Sequence, residues 1–224
     1  MTVSGTVMKA FFFTAILIVG AVMGWSFVEP DASGAIVWPW WSWWLSLGAF
    51  VMALITIMNP HLAAVTGSIY SLLQGMVMGA LSAVYDAAWN GIVLQAVIVT
   101  IAIMVAVLVL YLLGVLRATR RFTKMVIIGT AGVALLYLLA FIMALFGVDA
   151  AFWSKPTSAG LFWTLVIVAL AALNFVLDFD SIERYVAAGA PKQLEWHAAF
   201  GVILTLVWLY LEVLRMIARS RSRQ

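Results

Sequence analysis

The stretch Ile92–Leu116, IVLQAVIVTIAIMVAVLVLYLLGVL, runs for 25 residues without a charged side chain. An apolar run of about 20 residues is long enough to cross the hydrocarbon core of a bilayer as an α-helix. Four basic residues follow it closely: Arg117, Arg120, Arg121 and Lys124. The sequence therefore predicts a transmembrane helix that ends at a basic, membrane-surface loop.

The composition of the whole chain agrees with this reading. Of its 224 residues, 66% are hydrophobic and only 9% are charged, whereas about a quarter of the residues in soluble domains are charged. Disorder is excluded as well, because disordered chains combine low hydrophobicity with high charge. The chain has no cysteine, so disulfides, thiolate metal sites and cysteine nucleophiles are excluded. The remaining class is a polytopic integral membrane protein.

Charged and turn-forming residues divide the chain into seven apolar runs. The predicted spans are about 10–28, 37–58, 62–85, 92–116, 125–148, 157–177 and 197–218. The alternating ten-residue pattern of a membrane barrel is absent, so helices are the structure that satisfies the backbone within lipid. We predict an all-α fold, one integral membrane domain over residues 1–224 with seven transmembrane helices.

The basic loop after the fourth span gives the orientation, since Lys and Arg concentrate in cytoplasmic loops. It places the N-terminus and the connector Asp178–Glu195 in the cytoplasm, and Asp86 and the loop with Asp149 and Lys155 outside. Seven complete crossings put the basic tail 219–223 outside, against the rule; the alternative is a last segment that does not fully cross. We favour seven crossings, in a bacterial plasma membrane.

Polar residues recur on one face of the last span. Steps of three and four residues place them on one helical stripe: His197, Gly201, Thr205, Trp208, Glu212, Arg215 and Arg219. Ionisable residues inside a membrane segment are costly, so we expect this stripe to face protein or a wet cavity. The alternative is an ordinary pair of Glu212 and Arg215 at the headgroups, with Arg215 snorkelling to the surface.

A second polar stripe follows the sixth span: Gly160, Thr164, Ala171, Asn174 and Asp178. Asp178 and Asp180 stand where the apolar run ends, so they are either functional or ordinary carboxylates at a helix end. In the third span a stripe of small residues recurs every four positions: Gly67, Ser71, Gly75 and Gly79. Small residues at this step allow close packing of two helices.

Motifs for catalysis are missing. The sequence contains no HExxH, GxxxxGK[ST], GxSxG or GxGxxG pattern. We therefore predict no enzymatic activity and no resident cofactor. The net charge of +3 fits cytoplasmic loops of a membrane protein, so no nucleic-acid partner is predicted; the lipid bilayer is the expected surrounding.

Three segments together resemble the Bax-inhibitor family of membrane proteins. They are the glycine-rich stretch Gly67–Met76, the stretch Leu177–Ile182 (LDFDSI), and Leu209–Glu212 (LYLE) in the last span. Many members have an Asp at the end of the sixth helix with an Ile four residues later, and a Leu-Tyr-Leu-Asp pattern in the last helix. The resemblance covers about residues 60–218.

The resemblance implies a seven-helix bundle with the last helix near its centre. Members are described as calcium-permeable leak channels in which two carboxylates, on the sixth and seventh helices, act as a pH sensor. Asp178 corresponds to the first carboxylate. Glu212 corresponds to the second through the Leu-Tyr-Leu pattern, but an alignment on Leu214 and Arg215 places Thr205 there instead. Both registers remain open.

The leading functional hypothesis is a pH-sensitive cation leak, for calcium as the permeant ion. Calcium prefers oxygen ligands; Asp178 and Glu212 are the predicted ligands, and the remaining site residues are Asn174, Asp180, Thr205, Arg215 and His197. Two close carboxyl groups do not both ionise easily, so Asp178 and Glu212 are expected to share a proton.

Two further functions remain as alternatives. One is a non-conducting regulator that binds stress or quality-control membrane proteins. The other is a proton-coupled transporter, which the missing internal repeat makes weaker.

Overall fold

The computed structural model describes residues 1–30, 36–147 and 157–222, and these residues form seven long α-helices with no β-strand. The helices are α1 Val3–Ser26, α2 Trp41–Met58, α3 Ala63–Ala88, α4 Ile92–Leu112, α5 Arg120–Leu145, α6 Ser158–Ala187 and α7 Leu194–Arg221, and a 3₁₀ turn, Pro60–Leu62, precedes α3. All seven are long and apolar enough to cross a membrane. The predicted all-α bundle of seven transmembrane helices is confirmed.

Several helices extend beyond the predicted apolar runs, among them α1 and α6. α1 begins at Val3 instead of residue 10, because the hydroxyl of Thr2 caps it by accepting a hydrogen bond from the Gly5 amide (3.0 Å). α6 continues beyond Asp178 to Ala187, so most of the predicted connector Asp178–Glu195 is helical. It ends next to Gly189, whose φ of 66° is the left-handed conformation typical of a helix C-terminus. Charged residues at a membrane surface need not end a helix.

The chain forms two compact units. The first contains Met1–Val93 and Ser181–Leu204, and the second contains Leu94–Asp180 and Thr205–Gln224. α6 and α7 therefore contribute residues to both. Half of the most apolar window of α7 is buried, against 6% for α5. α7 is thus the more enclosed of these two helices.

In the first unit, α3 packs against both α1 and α2. The contact with α1 depends on glycine: a Cβ at Gly75 would overlap the backbone of Leu17, and one at Gly79 would overlap the carbonyl of Ala21. Gly20 and Gly24 of α1 lie equally close to the backbone of α3. The small-residue stripe of the third span is therefore a helix-packing surface, as predicted.

In the second unit, the end of α7 lies beside the start of α4. Arg221 donates a hydrogen bond to the Gln95 side chain (2.8 Å), at the opposite end of α4 from the basic loop. This arrangement is the one that seven complete crossings require. The loop with Asp149 and Lys155 lies outside the described residues, as do Asp31 and Arg223.

Candidate functional site

The polar stripes of α6 and α7 face each other in the second unit. Thr205 donates a hydrogen bond to Asp178 (2.6 Å), and Arg219 donates one to Thr164. Thr164 and Asp178 are 14 residues apart on α6. Thr205 and Arg219 are also 14 residues apart on α7, which is about 21 Å along either helix at 1.5 Å per residue. The two helices therefore run antiparallel, with a fixed register between their polar faces.

Asp178 has a neutral partner. Its carboxylate accepts the hydrogen bond from the Thr205 hydroxyl, and no Lys or Arg among the described residues forms an ion pair with it. The preceding residues Phe175 and Val176 are fully buried. The carboxylate thus lies at the edge of an apolar core without a compensating cation.

Asn174, one turn before Asp178, joins this site to α5. Its amide nitrogen donates to the Thr130 hydroxyl (2.9 Å) and to the Leu170 carbonyl (2.8 Å). Asn174 therefore supports the position of α6 against α5. Asp180 lies two residues beyond Asp178, which places it on a different side of the helix.

Glu212 lies in a different environment. It is 1% exposed, accepts a hydrogen bond from the Tyr137 hydroxyl (2.7 Å), and pairs with Arg215 (2.9 Å). Arg215 also lies over the Tyr137 ring, 5.8 Å from its centroid. The low exposure agrees with the expectation that Glu212 faces the protein interior, and the pair with Arg215 is the one that the headgroup alternative named.

The predicted pairing of Asp178 with Glu212 needs correction. The register places Ala171 of α6 opposite Glu212, and places Thr205 opposite Asp178. Glu212 follows Thr205 by two helical turns, about 10 Å along the axis. A proton shared directly between the two carboxyls is therefore not supported, and the direct partner of Asp178 is Thr205.

A calcium site built from these two carboxylates has no support either. The described residues contain no group of three or more His, Asp and Glu side chains able to hold a metal ion. Glu212 already has Arg215 and Tyr137 as partners, and both donate to its Oε1.

His197 belongs to the first unit. Its Nδ1 lies 3.2 Å from the Thr56 carbonyl oxygen. Because a carbonyl only accepts, this nitrogen carries the hydrogen. The Thr56 hydroxyl in turn donates to Thr66 (2.6 Å), so His197 ties the start of α7 to α2 and α3.

A buried carboxylate that the sequence analysis did not single out lies at the start of α7. Glu195 is 1% exposed and forms an ion pair with Lys9 of α1. It also accepts hydrogen bonds from the backbone amide (2.8 Å) and the hydroxyl (3.2 Å) of Thr2. Gly5 leaves the space, since a Cβ there would lie 2.5 Å from the carboxylate. The signal available in the sequence was a lone Lys9 in an otherwise uncharged first helix.

Comparison with known proteins supports the resemblance. No curated protein and no solved structure matches the chain. A family model described as Bax inhibitor 1 like matches residues 1–222. Such a family fits a membrane regulator or channel. With seven membrane-crossing helices and a match over its whole length, the chain belongs to the Bax inhibitor 1 like family.

Proposed function

We propose that this protein is a pH-sensitive leak pathway for cations, calcium in particular, in which Asp178 is the pH-sensing group between α6 and α7. We place it in a bacterial plasma membrane with its N-terminus in the cytoplasm. The observation that carries the proposal is the pairing of Asp178 with a hydroxyl and not with a cation. An ionisable group between two membrane-crossing helices, without a paired cation, supports a role in an ion pathway.

The proposed switch acts on the contact between Asp178 and Thr205. An ionised carboxylate at the edge of the apolar core attracts water and cations, whereas a protonated carboxyl packs as a neutral group. Gain or loss of one proton therefore changes how closely α6 and α7 pack at this position. Asn174 holds α6 against α5 through Thr130, so the change is concentrated at α7.

In this proposal Glu212 is a structural anchor. The hydrogen bond from Tyr137 joins the second half of α7 to α5, and the ion pair with Arg215 lies within α7 itself. The contact between Arg219 and Thr164 fixes the same half to α6. These contacts hold the second half of α7, and Glu195 and His197 hold its start, so a change at Asp178 acts on the middle of the helix.

Calcium flux into liposomes tests the proposal. Purified protein is reconstituted at a fixed protein-to-lipid ratio with a calcium-sensitive dye inside, and protein-free liposomes are the control. We expect calcium entry above the control, with a rate that depends on pH. Absence of flux at every pH would contradict a leak and would favour a non-conducting regulator of other membrane proteins.

A further inference from the structure

Four exposed cations lie within eight residues at the junction of α4 and α5. This basic turn consists of Arg117, Arg120, Arg121 and Lys124. Arg117 donates a hydrogen bond to the Gly114 carbonyl (3.2 Å). The other three have no hydrogen bond or ion pair with another described residue. The sequence contains no acidic residue between Asp86 and Asp149, so no carboxylate on α4 or on the described part of α5 neutralises the cluster.

Exposed apolar side chains flank the basic turn. On the α4 side Leu112, Leu113 and Val115 are 70%, 71% and 67% exposed, and on the α5 side Met125 is 62% exposed. Cations next to an apolar band form the surface that a membrane interface requires, with the band in acyl chains and the cations among headgroups. The basic turn joins two membrane-crossing helices, so it lies at the membrane interface.

We propose that the basic turn is a binding site for the phosphate headgroups of anionic phospholipids, such as phosphatidylglycerol. A guanidinium presents several N–H donors in a planar fork that matches a phosphate. Arg120 and Arg121 open the first turn of α5, whose backbone amides also favour an anion. The neighbouring apolar band distinguishes a lipid from free phosphate, since only a lipid places acyl chains against it.

This site lies on the helix that the protein holds most weakly. Val126 is the buried residue of α5. The helix makes polar contacts through Thr130, with Asn174, and through Tyr137, with Glu212. A lipid bound to the first turn of α5 would fix that helix from the membrane side. Binding itself does not depend on the proposed leak activity.

The test compares lipid retention by two charge-matched variants. Wild type, Arg120→Gln/Arg121→Gln and Arg184→Gln/Lys192→Gln are purified from nanodiscs of equal phosphatidylcholine and phosphatidylglycerol, and the lipids that remain bound are counted by native mass spectrometry. Both variants lose two positive charges. Two crossings separate their positions, so both lie on the same side of the membrane. A cationic residue near an anionic surface contributes about fivefold in binding.

We expect wild type and the Arg184/Lys192 variant to retain phosphatidylglycerol over phosphatidylcholine, and the Arg120/Arg121 variant to lose about 25-fold in that preference. Equal retention by all three proteins would overturn the site. So would displacement of the bound lipid by millimolar inorganic phosphate, because that result would identify a free-phosphate site. Thermal unfolding of each variant confirms that it is folded.

Discussion

At the scale of single residues, the contact between Asp178 and Thr205 joins a carboxylate to a neutral donor, whereas Glu212 is joined to a cation. Their places on the polar stripes of α6 and α7 alone would suggest that both carboxylates have the same role. Their partners distinguish the two carboxylates. Asp178 can change its protonation state without breaking an ion pair, whereas Glu212 is held in an ion pair with Arg215. The sequence left open whether Glu212 or Thr205 lies opposite Asp178, and the hydrogen bond shows that Thr205 does.

The first prediction concerns this hydrogen bond. Thr205→Val keeps the shape but removes the donor, so we expect a loss of stability of about 1–2 kcal/mol. A double-mutant cycle with Asp178→Ala should give a coupling energy of similar size in thermal unfolding. The control cycle pairs Thr205→Val with Glu212→Gln, two turns away, and should give a coupling near zero. Equal coupling in the two cycles would contradict the register.

The second prediction concerns the ion pair that joins α1 to α7. Lys9→Met leaves the buried Glu195 without its cation, and we expect it to cost about 3 kcal/mol. Lys9→Met/Glu195→Leu should recover much of that loss, because the uncompensated buried charge is then gone. Lys192→Met, at an exposed position, is the control and should be near neutral. Unfolding of the four proteins in detergent measures these differences, and an unchanged Lys9→Met would refute the buried pair.

At the scale of elements, the sequence predicts the helices better than their ends. Apolar runs located all seven, because a helix in lipid must be about 20 apolar residues long. They missed the first two turns of α1, which follow the Thr2 cap, and the last turns of α6, which lie beyond the apolar run. The extent of an apolar run indicates where the hydrocarbon core of the bilayer ends, whereas capping residues and glycines determine where the helix ends.

The third prediction tests the packing of α1 on α3. Gly79→Ala adds a methyl group against the Ala21 carbonyl, so the two helices must separate. We expect a loss at the upper end of about 1–3 kcal/mol, because the obstacle is backbone. Gly132→Ala on α5 is the matched control: nothing lies within 4 Å of its added Cβ, and alanine favours a helix over glycine. Similar losses in both variants would show that the α1–α3 contact is not close.

At the scale of the whole molecule, the polar stripes were predictable and their pairing was not. The spacing of the polar residues alone predicted interior faces, because the period of the helix determines the face on which a residue lies. The residues concerned are Asp178, Thr205, Glu212 and Arg219. The register between two helices depends on contacts distant in sequence, such as that of Thr164 with Arg219. For the same reason the pair of Lys9 and Glu195, 186 residues apart, could not be found from either residue by itself.

The fourth prediction concerns topology. The chain has no cysteine, so single cysteines can be introduced at Arg121, Asn90 and Ser222 and labelled in intact cells. We expect Asn90→Cys and Ser222→Cys to react with a membrane-impermeant reagent from outside, and Arg121→Cys only after permeabilisation. Labelling of Ser222→Cys from the same side as Arg121→Cys would mean that α7 does not fully cross.

We propose that Asp178, and not a pair of carboxylates, makes the proposed cation leak depend on pH. The most direct test is calcium flux into liposomes from pH 6 to 8 for wild type, Asp178→Asn and Glu212→Gln, normalised to folded protein. The account predicts that the wild-type rate changes across this range, that Asp178→Asn removes the dependence because an amide does not titrate, and that Glu212→Gln retains it despite lower stability. A pH dependence that survives in Asp178→Asn, or that is lost equally in Glu212→Gln, would contradict the account.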